Sequence, residues 1–427
     1  MSFDFFLPCP RGLEAPLAAE LAEIAGKHLH GAAFTAGAQV PGGVHFRGGW
    51  AAGMAANLHS RLASRVLLKI AQRPYRSEQD IYALALEQRW EQWFSAHETL
   101  RVDVTAIKSP LRSLEFTTLR VKDAICDRLR EKSGARPSID TAMPDVRVFA
   151  FLTATDCTLY LDTSGDPLFK RGWRLDKGAA PLRENLAAGI LRLTGWQAGT
   201  PLYDPMCGSG TFLAEAAQVA LNIAPGVERR FGFEKLRQFD AKSWRELKNA
   251  ALDAKQSARN SRAELQIFGS DISGDMLEKA RANFERAGLP ALALKQLDAR
   301  DMSPPASTPG ILVANPPYGE RIEVRGRNAR GELREGRGNR DDDGFRRIQE
   351  EAPDSEFFQL LGNALKQRFA GWHAFILTSD RKLPGQLRLR ESTKTPLFNG
   401  ALECRLFRFD LIAGSVRQRA QGDASAG

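Results

Sequence analysis

The sequence is short of cysteine. It has five, Cys9, Cys126, Cys157, Cys207 and Cys404, dispersed over 427 residues without a CxxC pair. An odd, scattered set excludes both a disulfide framework and a cysteine-built zinc site, and fits a reducing, cytoplasmic compartment. Histidine is also scarce, and the nearest pair, His28 and His30, has no cysteine or carboxylate beside it, so no metal is expected. Nothing approaches the roughly 20 consecutive apolar residues of a membrane helix. Met1 to Pro8 has no basic stretch of the kind that begins a secretory leader, and reads as the first strand of a domain. What is abundant is positive charge. A formal net charge of +9 and a pI of about 9.4 point to an anionic partner, through release of phosphate counterions.

A chain of 427 residues suggests two or three domains. Phe3 to Leu7 is strand-like, Leu13 to Ala25 is an apolar-periodic helix, and Val44 to Phe46 is a second strand, which together predict a small α/β unit over residues 1–55. A second α/β module follows over residues 56–165, with strands at Arg65–Ile70, Leu100–Ala106, Val146–Thr153 and Thr158–Asp162. Its helices are predicted at Met54–Leu62, Ile81–Phe94 and Phe116–Lys132, the last basic and amphipathic. Beyond Pro181, strands recur with helices between them: Leu202–Asp204, Leu265–Asp271, Ala291–Asp298, Ile311–Asn315 and Ala374–Asp380. This alternation predicts a doubly wound, mostly parallel sheet with helices on both faces. Residues 225–262 read as a charged helical insertion, 322–350 as a mobile loop, and 416–427 as a disordered tail.

Four elements carry chemistry, and they fall in order along that alternation. Asp204-Pro205-Met206-Cys207-Gly208-Ser209-Gly210-Thr211 joins a short strand to an apolar helix; Gly208 and Gly210 let backbone turn sharply and approach a ligand. No third glycine completes GxGxxG and no GK[ST] follows, so neither a dinucleotide site nor a P-loop is present. A carboxylate just before the loop suits a ligand bearing an ammonium group. Asp271 closes the next strand, where a carboxylate can accept both hydroxyls of a ribose. Asp298 closes the third, within reach of an adenine amine. The fourth strand ends in Asn315-Pro316-Pro317-Tyr318-Gly319. The Asn315 side-chain oxygen and the Pro316 carbonyl can each accept a hydrogen from one planar NH₂ group, and Tyr318 can stack on the base that carries it. Cys207 is not read as a nucleophile, because it lies in the cofactor loop and the catalytic position holds Asn315.

These motifs resemble class I S-adenosylmethionine (SAM)-dependent methyltransferases of the amino-methylating type. More narrowly, they resemble the THUMP-bearing bacterial 23S ribosomal RNA guanine-N2 methyltransferases. Lys170-Arg171-Gly172-Trp173-Arg174, Ala180 to Ala187 and Leu397 to Leu406 extend the likeness. The resemblance implies a ferredoxin-like unit at 1–55, a THUMP RNA-binding domain at 56–165 and a seven-stranded Rossmann-like methyltransferase domain at 166–415. It implies Asp204, Gly208 and Gly210 at the methionine end of SAM, Asp271 on the ribose and Asp298 at the adenine. Asn315, Pro316 and Tyr318 would orient the target base. Lys170, Arg171 and Arg174 are expected to meet RNA phosphates near the domain junction. Longer relatives carry a second, N7-methylating domain, so only the first activity is expected here. Another RNA such as tRNA as substrate, or a non-catalytic ribosome-assembly role, remains the alternative.

Overall fold

The structure, a computed structural model, describes residues 2–29, 31, 33–174, 182–260, 264–316 and 354–412. Tyr318, the 322–350 segment and the 416–427 tail therefore lie outside the described residues. The first half runs β1 (Phe3–Pro8), α1 (Glu14–His28), β2 (Phe34–Val40), β3 (Gly43–Gly48), α2 (Trp50–His59), β4 (Leu67–Pro74), α3 (Glu78–Leu86), β5 (Leu100–Ala106), α4 (Leu114–Ser133), β6 (Val146–Leu152) and β7 (Asp156–Asp162). Strict alternation drives the strands: in β6, Val146, Val148, Ala150 and Leu152 are buried and the residues between them are not. The α4 helix starts on Ser113, whose hydroxyl accepts from Phe116 N at 3.1 Å, and ends at Gly134 with φ of 76°.

The two small units do not have separate sheets. Their strands form one seven-stranded sheet in the order β2-β3-β1-β4-β7-β6-β5. It is fused by β4, which pairs with β1 on one side and β7 on the other. The expected boundary at residue 55 thus falls between elements that share a sheet.

The second half runs α5 (Glu184–Leu193), β8 (Leu202–Asp204), α6 (Thr211–Ala220), α7 (Ala241–Asn260), β9 (Ile267–Asp271), α8 (Gly274–Arg286), β10 (Ala293–Gln296), β11 (Ile311–Ala314), α9 (Asp354–Arg368), β12 (His373–Thr378), α10 (Leu383–Leu387), β13 (Thr393–Asn399) and β14 (Leu402–Asp410). Its seven strands are ordered β10-β9-β8-β11-β12-β14-β13, parallel except for β14. Strand order reverses between β8 and β11, which is where an open α/β sheet leaves its ligand crevice.

One apolar cluster runs through both halves, from Phe5 and Leu13 to Leu213 and Leu397. The 225–262 insertion accounts for part of this union. It is a bracket as well as a charged helix: Gly226 N donates to Leu58 O at 3.0 Å, Phe233 N to Thr163 O at 2.9 Å and Arg237 N to Trp93 O at 2.8 Å. No described helix is long and apolar enough to cross a membrane.

Candidate functional site

Four neighbouring strands, β10, β9, β8 and β11, are parallel, so their carboxyl ends lie along one edge. At about 4.8 Å per strand that edge is roughly 15 Å wide. Asp204 ends β8, Asp271 ends β9, Asp298 lies just past β10, and Asn315 just past β11. The register explains their level: Tyr203 aligns with Phe268 on one side and with Leu312 on the other.

The loop after β8 is held by backbone. Cys207 N donates to Ser270 O at 2.9 Å, and Gly210 N to Cys207 O at 2.8 Å. Gly208 and Gly210 have φ of 53° and 80°, in the left-handed region that disfavours a side chain. At Gly210 there is a second reason: a Cβ would lie 2.6 Å from the Phe284 ring. Asp271 is bound into this loop, its Oδ2 accepting from Gly208 N and its Oδ1 from Ser273 N, both at 2.9 Å. Each oxygen keeps acceptor capacity for a hydroxyl.

Asp204 is 2% exposed and accepts from Met206 N at 3.1 Å. No described cation pairs with it. Burial pushes its carboxyl well above the ordinary range; the Met206 amide pulls the other way, and the nearby Asp271 carboxylate adds to the rise. At the other end of the edge, the Asn315 side-chain oxygen is buried and has no hydrogen-bond partner among the described residues. An orphaned acceptor of this kind costs free energy unless a ligand satisfies it. Asp298 caps a short turn at Ala299–Asp301 and holds the Arg300 guanidinium through both its oxygens, so any adenine contact there would share that carboxylate. Pro316 is buried beside Asn315.

The expected phosphate contacts at the junction are corrected by burial. Arg171 is 4% exposed, and its guanidinium donates to Glu215 Oε1 at 3.0 Å, Leu168 O at 2.8 Å and Arg61 O at 2.6 Å. Arg174 donates to Leu182 O at 2.7 Å and Thr211 Oγ1 at 2.9 Å, and pairs with Glu184 at 3.3 Å. Neither is open to a phosphate. Lys170 is exposed and paired with Asp166 at 3.2 Å. On α4, Arg128 pairs with Glu91 at 2.7 Å and Arg120 stacks 4.2 Å over the Tyr82 ring.

Sequence reasoning missed three groups around the loop. Tyr203 and Ser270 share a buried hydroxyl contact of 2.7 Å beneath it. Asn283 on α8 donates to Ser209 O at 3.0 Å. Ile272, directly after Asp271, is an apolar side chain left 56% exposed at the sheet edge. An exposed isoleucine is invisible as such in a sequence, but its place after a strand-ending carboxylate was a usable signal.

A strand order of this kind, a glycine loop at the first crossover and an Asn-Pro turn at the switch point define a class I SAM-dependent methyltransferase. The residues fit that cofactor: a buried carboxylate with no cation among the described residues suits its ammonium group, and the glycine loop leaves it room. Residues 171–333 match the RMKL-like methyltransferase domain family, 75–162 the THUMP domain and 4–67 the RlmL ferredoxin-like domain. A ribosomal RNA large subunit methyltransferase K/L from Aeromonas hydrophila is 36% identical over 98% of this chain and 56% of its own length. The chain thus spans little more than half of that relative. A candidate RNA methyltransferase from Synechocystis sp. is 35% identical over 95% of this chain and 96% of its own. Among solved structures, a methyltransferase candidate designated SMU.472, complexed with the demethylated cofactor SAH, superposes with a TM-score of 0.78 at 26% identity, covering 97% of this chain and 99% of that one. The chain belongs to the family of THUMP-bearing class I SAM-dependent methyltransferases that includes the K/L proteins.

Proposed function

We propose that this protein methylates the exocyclic N2 amine of a guanine in 23S ribosomal RNA, in the cytoplasm. The observation that carries the reading is the buried Asn315 oxygen, without a partner among the described residues, just past the strand next to that of Asp204. Bound SAM supplies an electrophilic methyl group. Asp204 takes its ammonium, Asp271 accepts from the ribose hydroxyls, and Asp298 meets the adenine edge beside Ile272. Asn315 Oδ1 and the Pro316 carbonyl each accept one hydrogen of the target NH₂, leaving its lone pair directed at the methyl. Tyr318 stacks on the base. Transfer would break the sulfonium carbon–sulfur bond, leave SAH, and release one amine proton to water, so the chemistry needs little acid–base help and positioning at near-attack distance is the main requirement.

An Asn-Pro-Pro-Tyr loop serves adenine-N6 and glutamine-N5 methylation equally well. The THUMP match favours RNA, the names of the K/L relatives favour large-subunit ribosomal RNA, and guanine rests on the resemblance of the motifs alone. The test is to incubate the full chain with SAM and either 23S RNA or tRNA, then identify modified nucleosides by mass spectrometry. N2-methylguanosine from 23S RNA is expected. N6-methyladenine or 5-methylcytidine would overturn the base assignment, and product from tRNA alone would overturn the RNA assignment.

A further inference from the structure

The strip Arg171–Arg174 joins the two halves, and three of its residues reach the cofactor loop's flanking helices. Arg171 binds Glu215 on α6 while also donating to Arg61 O in the N-terminal half. The Trp173 carbonyl accepts from Arg286 Nε on α8 at 2.8 Å. Arg286 also donates to Asn283, the residue that holds Ser209 O inside the loop. Arg174 closes the arrangement from the other side, on Thr211 Oγ1.

Helix stability does not explain an arginine there. A cation beside the first turn of a helix opposes the helix dipole. Thr211 is that first turn, following Gly210, whose αL backbone gives α6 no side-chain cap. Glu184 offsets the Arg174 charge, which leaves a fixed, locally neutralised donor against Thr211. The loop has two left-handed glycines and little side-chain bulk, so beyond its backbone bonds and the Asp271 contact its shape depends on side chains from neighbouring elements.

We propose that Arg174 and Asn283 are positioning residues for the methyl-donor loop, acting through Thr211 Oγ1 and Ser209 O, and that they set affinity for SAM without touching RNA. The inference rests on the loop being the SAM site and on nothing about the methylated base.

Thr211→Val is the primary test on the full chain, since it keeps the shape and removes the hydroxyl that accepts from Arg174. SAM affinity by isothermal titration should fall about tenfold, the order of one charge-assisted hydrogen bond. RNA affinity and kcat at saturating SAM should be unchanged, so the loss appears in KM for SAM alone. Arg174→Gln should cause a similar loss, and the double variant should be no worse than the worse single one, because both remove the same contact. Asn283→Ala should lower SAM affinity on its own, and less than multiply with Thr211→Val, because Trp173 and Arg286 join the two contacts in one network. Unchanged SAM affinity in a folded Thr211→Val protein overturns the proposal, as does a full multiplication of the Arg174→Gln and Thr211→Val losses. A parent protein that bound no SAM would instead overturn the reading of the loop itself.

Discussion

Asp204 opens the cofactor loop and Glu215 lies within the helix that follows it; both are buried, and they are treated in opposite ways. Glu215 is faced by Arg171 Nε at 3.0 Å and Arg61 Nη1 at 3.5 Å, one from the linker and one from the N-terminal half. Asp204 has a backbone amide, a second carboxylate nearby and no described cation. Burying an ionised carboxylate is costly unless a partner offsets it. At the junction the protein supplies that partner. At the sheet edge no described residue does, and under the proposed function the SAM ammonium would bring that charge.

The largest effect expected from this contrast is at the junction. Glu215→Ala leaves two buried guanidinium groups without their shared anion and should cost about 3–5 kcal/mol, read as a lower denaturation midpoint of the whole chain. An unchanged midpoint would mean that the network is solvated and that the contrast is false. The same dependence bears on truncation: a fragment beginning near residue 165 would lose Arg61 and expose much of the shared core, so binding tests belong on the full chain. At the sheet edge, Asn315→Ala should slow single-turnover methylation at least about a hundredfold. SAM affinity should change by less than about 1 kcal/mol. Normal turnover would remove Asn315 from amine orientation. Asp204→Asn sharpens the comparison most directly. SAM binding should weaken by about 2 kcal/mol, while the denaturation midpoint of the SAM-free chain should hold or rise, because an unpaired buried carboxylate has been removed.

Local signals were legible in the sequence and long-range ones were not. The strands Leu202–Asp204 and Leu100–Ala106 have the bounds their residues predict, since apolar runs and alternation are local patterns. The loop at Asp204 and the turn at Asn315 announced themselves through glycine and proline. Strand β2 did not, because Gly37 and a mostly exposed face hide its alternation. The helix expected over Ile81–Phe94 stops at Leu86, where the indole of Trp90 folds back to donate to Ala85 O at 2.7 Å. Fusion of the two N-terminal units depends on β1 meeting β4 across intervening elements, which no window of sequence contains. Arg171 and Arg174 were the instructive misreading. A basic cluster looks the same whether its charges face phosphate or a buried glutamate, and only burial separates the two.

The smallest expected effect is a pH dependence, and its direction follows from the Asp204 environment. Burial raises the Asp204 carboxyl pKa, so in the free protein the group holds its proton to a higher pH than an ordinary carboxylate of about 4. Only the ionised form pairs with an ammonium group. SAM affinity should therefore be greatest above the raised pKa and decline as pH falls through it, by no more than Asp204→Asn itself removes. For the SAM-free chain the linkage has the opposite sign. A raised carboxyl pKa makes this group increasingly destabilising as pH rises from the unfolded value through the folded one, so the stabilisation gained on binding SAM should grow with pH. Titration calorimetry between about pH 8 and pH 5 measures the first trend, and thermal unfolding with and without SAM measures the second. Binding should also release protons, so the apparent enthalpy should depend on the ionisation enthalpy of the buffer. Asp204→Asn should flatten all three responses. If the variant kept the parent's pH profile, the titrating group would lie elsewhere, and Asp204 would be a loop-structuring carboxylate rather than the partner of the SAM ammonium.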